Sequence, residues 1–230
     1  MGEIKSKYFN FNQSLKSNGH FISEYKGWNS LLITKFDMKK GKVLDNNHIN
    51  SRYPELNGKQ KIFVTTKGVL QIKYEGSESL LREYDAVDFV SSSQTYEMKS
   101  LEDSVIFMIS AKNLTSQSGK SIFFNFKKDI KSKDLWGGQC ISRPYEGQGL
   151  TLVLFDLKPG FKFEDKGHGN EQITWLIFGK MDFHTNGEHK TLSPDSGVDI
   201  GPNHVHGGVS GGAMGFDAFF PKRQEIKYKN

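Results

Sequence analysis

The chain repeats itself. "YFNF" at Tyr8–Phe11 returns as "FFNF" at Phe123–Phe126, and "FDMKKG" at Phe36–Gly41 returns as "FDLKPG" at Phe155–Gly160, 119 residues later. Further on the spacing settles at 111, where Gly68 matches Gly179, Gly76 matches Gly187, and "AVDFV" at Ala86–Val90 matches "GVDIG" at Gly197–Gly201. The change of spacing means that a few residues were gained or lost in the loops between. A duplication restricts the fold strongly, because whatever one copy becomes the other must also be able to become. The join falls in the polar stretch "AKNLTSQSGKS" at Ala111–Ser121, so the expected domains are 1–115 and 116–230.

Each copy reads as strands. "SLLITKFDM", "KIFVTTKGVLQIKY", "AVDFVSS", "SVIFMIS", "LTLVLFDL" and "GAMGFDAFF" are short, rich in β-branched and aromatic residues, and separated by turn signals. "HTNGEH" at His184–His189 holds an Asn-Gly pair, the strongest short hairpin signal. "KKDIKSKDLW" could supply one short helix. Many short strands, met twice, predict an all-β sandwich or barrel in duplicate.

The 230 residues include 18 Phe, enough to bury a sizeable core, and no apolar run approaches the roughly 20 residues that cross a bilayer. No secretory segment is visible at the start, so no membrane association is expected. "MGEIKS" matches the myristoylation spelling by chance, and the sequons at Asn12 and Asn113 are sequons by spelling alone. The one cysteine, Cys140, excludes an internal disulfide and a thiolate cluster and fits a cytoplasmic setting. The net charge of +5 is carried by scattered lysines rather than a basic stripe, so nucleic acid is not an expected partner.

The chemistry-bearing residues gather in the second copy. If "KGHGNEQ" were strand, Lys166, His168, Asn170 and Gln172 would share one face and Glu171 the other, where it would brace a neighbouring strand. An imidazole and an amide oxygen suit a divalent metal such as Fe, Mn, Co, Ni or Zn, and His206 arrives from a separate strand after a Pro-Asn turn. His184, His189, His20 and His48 read as exposed or loop residues, and His204 sits on the turn before His206. "GGVSGGAMG" at Gly207–Gly215 lacks the ending of a phosphate loop and reads as flexible loop or bulge. Asp217 would be a general base if it faces inward. Trp175 and Phe178 read as core.

"PGFKFEDKGHGNEQITWLIFGKMDF" followed by "GVDIGPNHVHGG" resembles the two motifs of the cupin superfamily. With "NEQI" and the closing "FFPKR", it is similar to the bicupin isomerases of bacilysin biosynthesis. The resemblance implies two tandem jelly-roll (double-stranded β-helix) barrels. It puts His168 on the second histidine of the first motif, Gln172 on its Gln/Glu and His206 on the histidine of the second, which implies one divalent metal held by those three. Lys166 stands where the family has its first histidine, so the metal would be weakly held unless Glu164, Asp165 or His204 takes the vacant place. In the first copy the matching positions are Asn57, Lys61 and Thr95, so no metal is expected there and its role would be structural, with ligand binding through "YPELNGKQ" and Tyr96 as the alternative.

The function expected is that of a metal-dependent enzyme in the C-terminal barrel, an isomerase or lyase acting next to a carbonyl of a small anionic metabolite. Lys166 would steady the substrate's charge, and Asp217, His204 or Glu164 would move a proton. The alternatives are a cupin dioxygenase and a non-catalytic metabolite or sugar sensor that has lost its metal. A homodimer is expected, as cupins often pair through their strands.

Overall fold

The computed structural model describes residues 6–11, 15–17, 20–27, 30–90, 95–114 and 119–223. Gly2, Asn12 and part of the expected join at Ala111–Ser121 lie outside them. The protein is all-β. Among the described residues one α-helix, Asn46–Arg52, interrupts the strands, where Asp45 caps it by accepting the His48 N–H at 2.8 Å. "KKDIKSKDLW" does not form the expected helix: turns are followed by the strand Lys133–Leu135, paired with Cys140–Glu146. No helix of the described residues is long and apolar enough to cross a membrane.

The chain divides into two compact units. The first comprises Met1–Asn10, Gly27–Leu31 and Lys131–Asn230, and the second Phe11–Lys26 and Leu32–Ile130. The second unit holds a seven-stranded and a four-stranded sheet. Its core is filled by side chains that include Phe63, Phe89, Tyr96, Met98 and Met108. Phe89 and Tyr96 stack at 4.3 Å. Lys61 is buried here and donates to the carbonyls of Leu56 at 2.8 Å and Lys59 at 3.3 Å. Burial pushes its ammonium down to about 8.

The other unit is one eight-stranded sheet. Its long members are Thr151–Asp165, Glu171–Thr185 and His206–Phe220, each of 15 residues, with the last hydrogen-bonded between the other two. His168 lies 5.5 Å by ring centroid from His206 and also 5.5 Å from Phe219, residues near opposite ends of one strand. A straight strand would hold those residues about 40 Å apart, so the sheet curls strongly. The bend comes from register shifts at Pro159/Lys162, Leu176/Phe178 and Gly179/Met181. At the last of these, Gly179 has a φ of +76° and a Cβ there would overlap the Gly212 carbonyl. The glycine-rich stretch from Gly207 is therefore strand, bent at bulges, rather than flexible loop.

The repeat extends to backbone conformation. Gly41 and Gly160 both have φ of 81°, Gly76 and Gly187 both 78°, and Tyr84 and Asp195 both 67°. Glu75 (46°) and Asn186 (49°) match as well, each leading a hairpin turn completed by a left-handed glycine, as "HTNGEH" predicts. The repeated aromatic stretches "YFNF" and "FFNF" supply edge strands, but not to their own sequence neighbours. Lys7–Asn10 pairs with Ser196–Ile200, and Ile122–Asn125 pairs with Asp85–Phe89.

Glu171 does not face solvent. It is 1% exposed, and its carboxylate accepts the N–H groups of Ser30 at 3.0 Å and Leu31 at 3.3 Å, bracing the segment Gly27–Leu31. Trp175 is fully buried, whereas Phe178, expected in the core, is 65% exposed at the bulge that turns its side chain outward.

Candidate metal centre

Asp165 ends one long strand and His206 begins another, and the two residues are paired directly across the ladder. Between strands, the loop 166–170 folds back so that the His168 carbonyl accepts the Asn203 N–H at 2.7 Å. Gly167, with φ of +97°, lets this loop lie against Asn203 where a Cβ would collide with its backbone. Residues 166–170 are not strand, so the two-residue alternation expected for Lys166 to Gln172 does not apply. His168 reaches its neighbours from a loop instead.

The outcome is a cluster in which ligand atoms of Asp165, His168 and His206 all lie within 4.8 Å of one another. The tautomers follow from the partners. His206 Nδ1 lies 2.9 Å from the His204 carbonyl, which can only accept, so the proton is on Nδ1 and Nε2 carries the lone pair. His168 Nε2 lies 2.8 Å from Gln172 Oε1, which puts its proton there and leaves Nδ1 as a bare lone pair. That Nδ1 is buried with no hydrogen-bond partner among the described residues. A buried nitrogen lone pair facing no donor costs stability unless a cation or water meets it. Two neutral imidazoles and a carboxylate are donors that suit a borderline divalent ion, so the residues present fit the metal that the cupin motifs imply.

The charges favour the same state. Burial, reinforced by the nearby Arg223, pushes His168 down to about 4. Burial likewise lowers His206, against the opposing pull of its bond to His204 and of Asp165. Both imidazoles are thus neutral near pH 7. Burial alone would raise Asp165, but the Gly167 N–H at 2.8 Å, the two imidazoles and Arg223 outweigh it and hold the carboxyl below its usual range. Arg223 Nη2 lies 3.2 Å from Asp165 Oδ2, and its guanidinium sits over the Phe219 ring at 5.0 Å. Arg223 comes from the end of "FFPKR", and the spacing of the histidines gave no reason to single it out.

Gln172, 5% exposed, is joined to the cluster through His168. Its amide nitrogen donates to Thr174 Oγ1 at 2.9 Å and to Asp217 Oδ1 at 3.1 Å, and the Thr174 hydroxyl donates to the same carboxylate oxygen at 2.6 Å. Asp217, whose face the sequence left open, therefore turns inward. Burial raises it to about 6 despite those two hydrogen bonds. Gln172, Thr174 and Asp217 form the polar edge of a cavity of about 70 Å³.

The remaining candidates lie further out. Lys166 is exposed. His204 is half-buried, and its Nδ1 accepts from Asn186 Nδ2 at 2.9 Å, with Ser6 Oγ at 3.2 Å. His184 Nε2 pairs with Glu164 Oε2 at 2.9 Å, away from the triad's donors, so Asp165 rather than Glu164 stands with the histidines.

Solved structures of known proteins share this architecture. The putative glyoxylate-induced protein of Pseudomonas aeruginosa matches with a TM-score of 0.76 at 10% identity, covering 100% of this chain and 93% of its own. A cupin 2 conserved barrel domain protein from Leptotrichia buccalis matches at 0.64 and 13% identity, over 96% and 99% of the two chains. The oxalate decarboxylase of Bacillus subtilis, a protein with Mn(II) centres, matches at 0.69 and 10% identity, over 98% and 80%. No family model matches the sequence, and no curated protein is similar to it. At these identities the likeness is one of fold, and the fold is that of the cupin proteins.

Proposed function

We propose that the protein is a duplicated, two-barrel cupin whose C-terminal copy is a metal-dependent enzyme acting on a small anionic metabolite, by isomerisation or elimination next to a carbonyl. The observation that carries this reading is the buried, unpartnered Nδ1 of His168, clustered with the donors of Asp165 and His206. Asp165 takes the place left by Lys166, and Gln172 fixes the His168 ring. A divalent ion bound there would act as a Lewis acid on a carbonyl or enol oxygen. Arg223 supplies a fixed positive charge within reach of the substrate's carboxylate. Asp217, facing the cavity with a carboxyl raised to about 6 and so mostly ionised at neutral pH, is placed to take the proton and return it. Mn(II) in the oxalate decarboxylase of the same fold supports a metal of this class.

Elemental analysis of protein purified without chelator tests the reading. An equimolar divalent metal is expected. Only traces, with the fold intact, would favour the competing class, a metal-free binding protein. The same reading takes the protein to be a cytoplasmic homodimer. The single, buried Cys140 supports a reducing setting, and sedimentation at the 26.1 kDa monomer mass would remove the dimer.

A further inference from the structure

The cavity next to the imidazoles has a chemistry of its own. Two residues join it to the metal cluster: Gln172, bonded to His168 at 2.8 Å, and Phe183, whose ring stacks 6.1 Å from His206. Beyond them the walls include Trp136, Cys140, Phe155, Leu157, Phe161 and Met181. A molecule held at the cluster by one end that reaches past Gln172 and Phe183 would put its other end here.

Charge, hydrogen bonding and size each narrow what that end can be. No Lys or Arg is among the residues lining the cavity, and its one carboxyl is Asp217, so a second carboxylate of a ligand would meet repulsion. The Thr174 hydroxyl and the Gln172 amide are already committed, since both point at Asp217. A sugar's hydroxyls would enter largely unpaired, which is costly. A dry apolar cavity of about 150 Å³ accepts benzene, roughly 25 Å³ per heavy atom. At about 70 Å³ this half-open cavity encloses a group of about three heavy atoms but not a whole ring.

We infer that this cavity binds the uncharged aliphatic end of the substrate, which makes the substrate a short-chain carboxylic or 2-oxo acid rather than a sugar acid, a dicarboxylate or an aromatic acid. The inference rests on the proposed function for the position of the anionic head. Leu157, which lines the cavity and takes no part in the hydrogen bonds joining His168, Gln172, Thr174 and Asp217, sets the chain length.

The test is calorimetric titration of the full-length protein with pyruvate, 2-oxobutyrate, 2-oxopentanoate, 2-oxohexanoate and phenylpyruvate, once with saturating Mn²⁺ and once in chelator. Kd is expected to fall about fourfold per added carbon, the worth of one buried methylene, up to the propyl chain, and to rise again for hexanoate and phenylpyruvate. Leu157→Ala should move the optimum to a longer chain, a gain that mere loss of stability would not produce, and Leu157→Phe should move it to pyruvate. A Kd independent of chain length, a preference for phenylpyruvate, an optimum unmoved by Leu157→Ala, or no binding by any of the acids overturns the assignment. A chain-length gradient that appears in chelator while no Mn²⁺ is taken up upholds the aliphatic subsite and removes the metal. Equimolar Mn²⁺ uptake without the gradient does the reverse.

Discussion

Gln172 Oε1 lies 2.8 Å from Nε2 of His168, and the nitrogen of the same amide reaches Asp217 at 3.1 Å. One uncharged side chain therefore fixes the tautomer of an imidazole and helps solvate a buried carboxyl. Gln172→Leu removes both bonds and leaves the His168 N–H without an acceptor. A loss of about 1–3 kcal/mol is expected, measured by urea unfolding in chelator, together with weaker metal binding as the His168 ring loses its orientation.

The same two partners make opposite demands on pH. His168, lowered from 6.5 to about 4, binds a proton more readily in the unfolded chain, so its contribution to stability is complete above pH 6.5 and is lost as pH falls through 4. Asp217, raised from 3.8 to about 6, binds its proton more readily when folded, so its contribution is present below pH 3.8 and is lost as pH rises through 6. Each shift corresponds to roughly 3 kcal/mol, and the two nearly cancel across the shared window. Asp217→Asn leaves His168 unopposed. The metal-free variant should gain stability between pH 4 and 6.5 relative to the wild type, which urea midpoints at half-unit pH steps would reveal. Parallel curves would show that Asp217 is not protonated in the folded protein.

Metal binding should follow the donors the structure clusters. Asp165→Asn and His206→Ala should each lower Mn²⁺ or Co²⁺ affinity by at least the roughly 10–100-fold that losing an outer-shell partner costs. Lys166→Ala should leave the metal in place. Circular dichroism of the variants separates lost ligation from lost folding, and unchanged metal content in His206→Ala would show the ligand set to be wrong.

Gly179→Ala tests the bend that brings strand ends together. The position combines a φ of +76° with a Cβ site overlapping the Gly212 carbonyl, so the strands must separate. A loss on the order of 3 kcal/mol or more is expected, read as a lowered denaturation midpoint, with metal binding lost along with the bend. Gly76→Ala, whose added Cβ meets nothing within 4 Å at a φ of +78°, should cost much less.

Lys61 occupies in the first copy the place that Gln172 holds in the second. With its ammonium at about 8 in the folded protein against 10.5 for an unperturbed lysine, the unfolded chain binds the extra proton between those values. Stability must therefore rise with pH across that interval, by roughly 3 kcal/mol from this group. Lys61→Met lacks the rise. The difference between the two unfolding curves from pH 7 to 10.5 measures it, because the other alkaline groups are common to both.

What could be read from the sequence was what depends on local pattern. The alternation and turns in "KIFVTTKGVLQIKY" and "HTNGEH" announce strands and hairpins, and the paired glycines of the repeat carry matching left-handed φ values. His168, Gln172 and His206 stand out by spacing. Strand parity failed between Lys166 and Gln172 because the chain leaves the sheet after Asp165, and parity has no meaning in a loop. It held at Glu171, which lies on the face opposite Gln172 and braces Ser30 and Leu31, but only the structure shows that this outward face is buried under residues more than a hundred positions away in sequence. Phe178 was misjudged because hydrophobicity cannot show a bulge. Arg223 became visible only through Asp165, 58 positions earlier.

The trading of "YFNF" and "FFNF" has a consequence for anyone who would cut the chain. A fragment beginning in the polar join would carry every donor of the cluster, yet it would lack Lys7–Asn10 along Ser196–Ile200 and the N–H groups that neutralise Glu171. Its exposed flank would be an open template for foreign strands, so such a half should clump rather than fold. The two genetic halves are inseparable in a way that their individual sequences do not reveal: each is finished by a ribbon encoded in the other.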